Sequence, residues 1–118
     1  MANSKKAGLG DCYEANGKHI MDNCVFDSKC GLILCHGEVM GQGPLEGVQF
    51  GHAWVLDGNT VIDVSNGRFV RMPKKLYYAM GAIDQIDNVH YYNWPQAQRA
   101  ILKYEHWGPW DLKTSTGL

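Results

Sequence analysis

Apolar positions in the first part of the chain recur at helical spacing and then give way to short apolar runs broken by turn residues. Tyr13, Ile20, Met21 and Cys24 form a near-helical stripe, which predicts a helix over roughly 11–22. Asp11 stands in the cap position with Glu14 three residues on, a capping-box arrangement, while Gly17 weakens the middle of the segment. The run from Gly31 to Val39 is short and rich in Leu and Ile, as expected of a buried strand. A glycine-rich loop follows, Gly41-Gln42-Gly43-Pro44 with Gly47 close behind, and then a strand from about Val48 to Leu56. Asp57-Gly58 suits a tight hairpin turn, and the returning strand is Asn59 to Ser65, closed by Asn66-Gly67. Pro73 opens a second helix that runs through Met80 and stops at Gly81. Val89 to Tyr92 reads as a strand. The third helix enters at Asn93-Trp94-Pro95, carries Ala97, Ala100, Ile101, Tyr104 and Trp107 on one stripe, and stops before Gly108-Pro109. Small polar residues over 1–8 predict a flexible tail, and 9–118 form a single domain. No internal repeat or low-complexity segment appears. The class is α+β, with the N-terminal helix packed on a mostly antiparallel sheet.

Composition narrows the function classes. The 118 residues suffice for one domain with a core of its own, and a formal net charge of −1 gives no electrostatic reason to expect nucleic acid or an anionic membrane. The pairs Lys5-Lys6 and Lys74-Lys75 read as solvated surface. No stretch is long and apolar enough to span a bilayer, and the first residues lack the apolar core of a signal peptide, so the expected location is cytoplasmic. In a reducing compartment the even count of four cysteines (Cys12, Cys24, Cys30 and Cys35) does not argue for disulfides. No C-x-x-C pair is present, and Cys24, Cys30 and Cys35 are expected to be small buried apolar residues. A mixed metal site of Cys24, Cys30, Cys35 and His36 is the alternative for that cluster; the expectation is no metal and no cofactor.

Cys12 differs from the other three because the capping box places it at the first helical position. A thiol reacts as its thiolate, and the free N–H groups at a helix start stabilise that anion. Cys35, inside an apolar strand, is expected to be held protonated by burial. The hairpin supplies a base and its orienting group. With Asp57-Gly58 as the two turn residues, Trp54 faces Val61, His52 faces Asp63 and Phe50 faces Ser65, so imidazole and carboxylate lie about 5 Å apart at Cβ. A turn at Gly58-Asn59 keeps His52 and Asp63 on one face as diagonal neighbours, and an odd-length loop separates them. His52 then takes the Cys12 proton or pairs with the thiolate, and Asp63 fixes the ring. The Cys12 backbone N–H is a natural first oxyanion donor. No Gln precedes Cys12, and the candidates for a second donor or for substrate contact are Gln42, Gln49, His36 and Trp54.

Gly10-Asp11-Cys12 opening a helix, then Gly51-His52-Ala53-Trp54-Val55, then Val61-Ile62-Asp63, resembles the core of the papain-like and transglutaminase-like cysteine hydrolase superfamily. The likeness covers roughly residues 10–65 and suggests a small bacterial or phage member. It implies a nucleophilic Cys at a helix start on an antiparallel sheet, a His on one strand and an Asp on the next. It also implies thiol acyl-transfer chemistry on a peptide, protein or small amide: peptidase, amidase, deamidase or transglutaminase. The glycine loop lacks phosphate-loop spacing, which argues against nucleotide binding, and reads as a cleft border or a connector. The C-terminal aromatics Tyr91, Tyr92, Trp94, Tyr104, Trp107 and Trp110 read as core or as a wall beside the site. A non-catalytic binding or inhibitory module on the same fold and a small zinc-stabilised interaction domain are the rival readings.

Overall fold

The computed structural model of the protein describes residues 11–24, 30–41, 44, 46–83 and 88–112. The elements are α1 (Cys12–Cys24), β1 (Ile33–Met40), β2 (Gln49–Asp57), β3 (Thr60–Asp63), β4 (Val70–Pro73), α2 (Lys74–Met80), β5 (Val89–Tyr92) and α3 (Trp94–Tyr104). Among the described residues the strands form one five-stranded sheet in the order β4-β3-β2-β1-β5, and every pairing is antiparallel. The class is thus α+β, with the N-terminal helix against an antiparallel sheet. The expected tail over 1–8 lies outside the described residues.

Strand alternation sorts the core into two layers. Leu34, Val55, Ile62 and Tyr92 face Ile20 and Cys24 of α1 and Ala97 of α3. Cys35, Trp54, Leu56, Val61 and Val89 face Tyr78 of α2 on the other side. Gly37 is needed there, since a Cβ would sit 2.8 Å from the Trp54 ring. No helix among the described residues is long and apolar enough to cross a membrane.

Three expectations are corrected. The hairpin pairs Asp57 with Thr60, Leu56 with Val61 and Val55 with Ile62, so Gly58-Asn59, and not Asp57-Gly58, form the turn. Gly58 takes φ 61° at the first central position, where a type II′ turn calls for glycine, and Asn59 does not share that left-handed conformation. Second, Cys24 and Cys30 are joined by a disulfide rather than packed as free thiols. The same bond removes two thiolates from the imagined metal cluster, and Cys35 and His36, adjacent on β1, point to opposite faces of the sheet. Third, α3 ends at Tyr104, one turn sooner than the aromatic stripe suggested, because Glu105 turns the chain with φ 59°. Tyr104 is exposed as a result, and Trp107 instead packs against Gly17 of α1, where a Cβ would meet its ring at 2.7 Å. The glycine that weakens the α1 propensity is therefore a contact point. β4 is an unforeseen strand: its pattern of half-buried and exposed residues is short and contains Pro73, tolerated because β4 is an edge.

Candidate active site

The site forms where the β2–β3 ladder stops. β2 has nine residues and β3 four, so pairing ends near Trp54 and Asp63 and leaves the Gln49–Ala53 stretch of β2 without a β3 partner. Ala53 and Val64 would be the next hydrogen-bonded pair in the observed register. The Asn16 side-chain amide stands between them instead: Nδ2 donates to the Ala53 carbonyl at 3.0 Å, and Oδ1 accepts from the Val64 N–H at 3.1 Å. Asn16 lies one helical turn beyond Cys12 and is fully buried. It thereby completes two backbone groups that burial would otherwise orphan. The same Nδ2 reaches the Cys12 carbonyl at 3.0 Å and Asp63 Oδ1 at 3.1 Å. One amide ties the start of α1 to both strands. Asp11 reinforces the junction by accepting from the Asn66 N–H at 2.9 Å.

The junction gathers Cys12, His52 and Asp63. His52 Nε2 donates to Asp63 Oδ2 at 2.8 Å, and the Cys12 side chain is the other group whose interaction raises the pKa of the ring. The two residues are diagonal neighbours on the α2 face of the sheet, as a Gly58-Asn59 turn requires. Asp63 is saturated with donors. Oδ1 accepts from Asn16, the Ser65 N–H at 3.0 Å and the Ser65 hydroxyl at 2.7 Å, and Oδ2 accepts from His52 and from the Tyr77 hydroxyl at 2.9 Å. Burial pushes its pKa up, but His52, Ser65 and Asn16 outweigh that and hold the carboxyl well below the usual carboxylate range. Burial likewise pulls His52 down, and the hydrogen bonds and charges of Asp63 and Cys12 outweigh it, holding the ring well above an ordinary histidine. The favoured pair is imidazolium and carboxylate. Burial, then the Asp63 charge, raises Tyr77 far above ordinary tyrosines, so its hydroxyl stays a donor to Asp63.

Sequence reasoning found these three residues and missed Asn16, Ser65 and Tyr77. The signal for Asn16 was its i+4 spacing from Cys12, which puts both on one face of α1. Ser65 follows Asp63 by two residues and closes a local hydroxyl–carboxylate turn. Tyr77 comes from α2 and gave no local signal.

The candidate oxyanion and substrate residues fare differently. Gln42 lies outside the described residues. Gln49 is exposed at the start of β2, paired with Met40, and does not line the cavity beside His52. Trp54 is fully buried, with its ring 6.3 Å from and nearly parallel to His52 and its indole N–H donating to Tyr78; it supports the imidazole and is closed to substrate. His36 is also fully buried, among Tyr13, Tyr92 and Trp110, and Gly108 lies so close that a Cβ there would be 2.6 Å from the ring. Neither of its ring nitrogens has a hydrogen-bond partner, and burial pulls its pKa down to about 3. It is a sealed neutral ring and donates nothing to the site. Burial pushes Cys35 up to about 12, so that thiol is inert at neutral pH.

His52 and Asp63 open on a cavity of about 260 Å³ on the α2 face of the sheet. Among the described residues no group of three or more His, Cys, Asp or Glu side chains is placed to hold a metal ion. Comparison with protein-family models, curated proteins and solved structures finds no match to this chain.

Proposed function

We propose that the chain is a thiol-dependent amide hydrolase or acyltransferase of papain-like or transglutaminase-like type, with Cys12 as nucleophile, His52 as acid and base, and Asp63 as the orienting carboxylate. The observation that carries the reading is the setting of His52: its ring is hydrogen-bonded to a carboxylate saturated with donors, and its pKa is raised by that carboxylate and by the Cys12 side chain at the start of α1. In the first half-reaction the Cys12 sulfur forms a bond to the amide carbonyl carbon, and the carbonyl electron pair moves onto oxygen. Collapse of that oxyanion breaks the C–N bond, and the amine leaves with the proton from His52. In the second half-reaction water or an acceptor amine attacks the thioester and gives a proton to His52. The C–S bond breaks, and the thiolate is restored. Asp63, held ionised, keeps the ring oriented and compensates its charge throughout.

Alkylation by iodoacetamide at pH 6–7, read by peptide mass spectrometry, tests the proposal. Cys12 is expected to react at least about ten-fold faster than N-acetylcysteine under the same conditions, and His52→Ala to remove the advantage. A Cys12 rate equal to that of the free thiol, or one indifferent to His52→Ala, overturns the assignment.

A further inference from the structure

The cavity beside His52 has a chemical character of its own. Its walls include Val39 of β1, Phe50 of β2, Val70 and Met72 of β4 and Met80 of α2. All four strand residues belong to the face that carries His52 and Asp63, so the apolar wall and the reacting pair share one side of the sheet. A volume of about 260 Å³ falls just below the range of drug-sized ligand sites, which begins at about 300 Å³. That size fits one large side chain with its backbone group, and not an extended peptide. The charges around it do not balance. His52 and Asp63 neutralise each other, Tyr77 stays neutral, and the remaining charged side chain among the described lining residues is Arg68, which is exposed and forms no ion pair among the described residues. An apolar pocket rimmed by a guanidinium that has no ion-pair partner among the described residues fits a ligand with an apolar side chain and a carboxylate.

We propose that this cavity is a specificity subsite for a terminal amino-acid unit, with Val39, Phe50, Val70, Met72 and Met80 taking an aliphatic or aromatic side chain and Arg68 pairing with its free α-carboxylate. The proposal deepens the reading of Cys12, His52 and Asp63 as the reacting groups: it makes the substrate an amide in which a C-terminal apolar residue sits next to the bond attacked. Arg68 reaches the rim because the turn Ser65–Gly67 ends the β2–β3 hairpin there, with the Arg68 N–H bonded to the Ser65 carbonyl at 3.1 Å. The turn that follows Asp63 is thus held at both ends, by Ser65 bonded to the Asp63 carboxylate and by the Arg68 N–H bonded to the Ser65 carbonyl.

The test is equilibrium binding to the unmodified protein, followed by the methyl resonances of Met72 and Met80, with N-acetyl-leucine, N-acetyl-leucinamide and N-acetylglycine as probes. N-acetyl-leucine is expected to give saturable shifts at both methyls. Half-saturation by the amide should come at about five-fold higher concentration, the size of an exposed ion pair. For the glycine compound the factor is about ten-fold or more, from loss of the buried isobutyl group. Arg68→Gln, a surface change, should erase the preference for acid over amide and keep the preference for leucine over glycine. Absence of saturation with N-acetyl-leucine, equal half-saturation by acid and amide, or a preference for acid that survives Arg68→Gln each overturns the subsite. Binding is read without turnover, so this outcome is independent of the alkylation experiment: slow Cys12 alkylation with selective binding removes the catalytic reading, and the reverse removes the subsite.

Discussion

Replacing Asn16 by alanine is expected to cost about 3–5 kcal/mol of folding stability. The figure follows from what the amide does. It is fully buried, and its loss leaves the Ala53 carbonyl and the Val64 N–H facing each other across a gap too wide for a direct bond. Each orphaned backbone group costs about 1–3 kcal/mol, and Asp63 loses one of its donors as well. With an m-value of about 1–2 kcal/mol/M in urea, the midpoint should fall by roughly 2–3 M, read by tryptophan fluorescence and far-UV circular dichroism. Asn16→Asp separates hydrogen bonding from size. It keeps the shape but sets a carboxylate against the Asp63 carboxylate and the Ala53 carbonyl, where Nδ2 stood at 3.1 and 3.0 Å. Burial and that neighbouring charge raise the pKa of the new group when folded. Its protonated form is the tolerated one, so the deficit of this variant should shrink in acid and grow as pH rises through the raised value. The alanine deficit should show no such trend. An Asn16→Ala variant within 1 kcal/mol of the parent (on the order of one ordinary hydrogen bond), or an aspartate variant that loses ground in acid relative to alanine, refutes the account of the inserted amide.

Two further outcomes follow from buried neighbours. Gly17→Ala is expected to lower stability by about 1–3 kcal/mol, because the new Cβ meets the Trp107 ring at 2.7 Å; thermal denaturation showing the gain of about 1 kcal/mol that helix propensity alone predicts would contradict the packing. His36 should make the protein acid-sensitive. Unfolded, it titrates near 6.5, whereas folded it stays neutral to about 3, so the unfolded state binds the extra proton and stability falls as pH drops below about 6.5, by about 1.4 kcal/mol per unit. The His52–Asp63 pair adds no slope in that window. Asp63, depressed, contributes in full above about 3.9, and His52, raised, contributes in full below about 6.5, losing its share only as pH climbs through its folded value. Urea midpoints measured from pH 6.5 to 4.5 should therefore flatten in His36→Leu; an unchanged slope would show that this ring is not the cause.

The Cys-His-Asp grouping was legible because its determinants are local. The helix starts at Cys12 as expected, with the Asp11 side chain bonded to the Asn66 N–H, and the shared face of His52 and Asp63 depends on the parity of a hairpin loop, so moving the turn by one residue along both strands changed the register without changing the face. What could not be read depends on contacts distant in sequence. Asn16 meets Ala53, Asp63 and Val64 across 37 to 48 residues, Tyr77 reaches Asp63 from α2, and the Trp107 contact with Gly17 links the two ends of the domain. His36 and Trp54 misled for the opposite reason. Both are polar-tipped rings next to chemically interesting residues, yet strand alternation and neighbouring aromatics bury them, one as a sealed ring and the other beneath the imidazole. The Cys24–Cys30 bond was obscured by an inference about compartment that the spacing itself did not require.

The unequal lengths of β2 and β3 explain why these parts meet. α1 packs on one face of the sheet, whereas His52 and Asp63 project from the other, and a continuous ladder would have kept the Cys12 thiol from the imidazole. Because β3 ends at Asp63 and the chain turns away through Ser65–Gly67, the sheet opens at the point where the N-terminal turn of α1 arrives. An opening in a buried ladder is costly unless its backbone groups find partners, and the amide of Asn16 meets that requirement while fixing Cys12 and Asp63 relative to each other. The same early turn brings Arg68 to the rim of the cavity. Lengthening β3 by continued pairing would repair the ladder, but it would also separate Cys12 from His52 and carry the Arg68 cation away from the cavity. The short strand is therefore the feature on which both the catalytic assignment and the proposed carboxylate subsite depend.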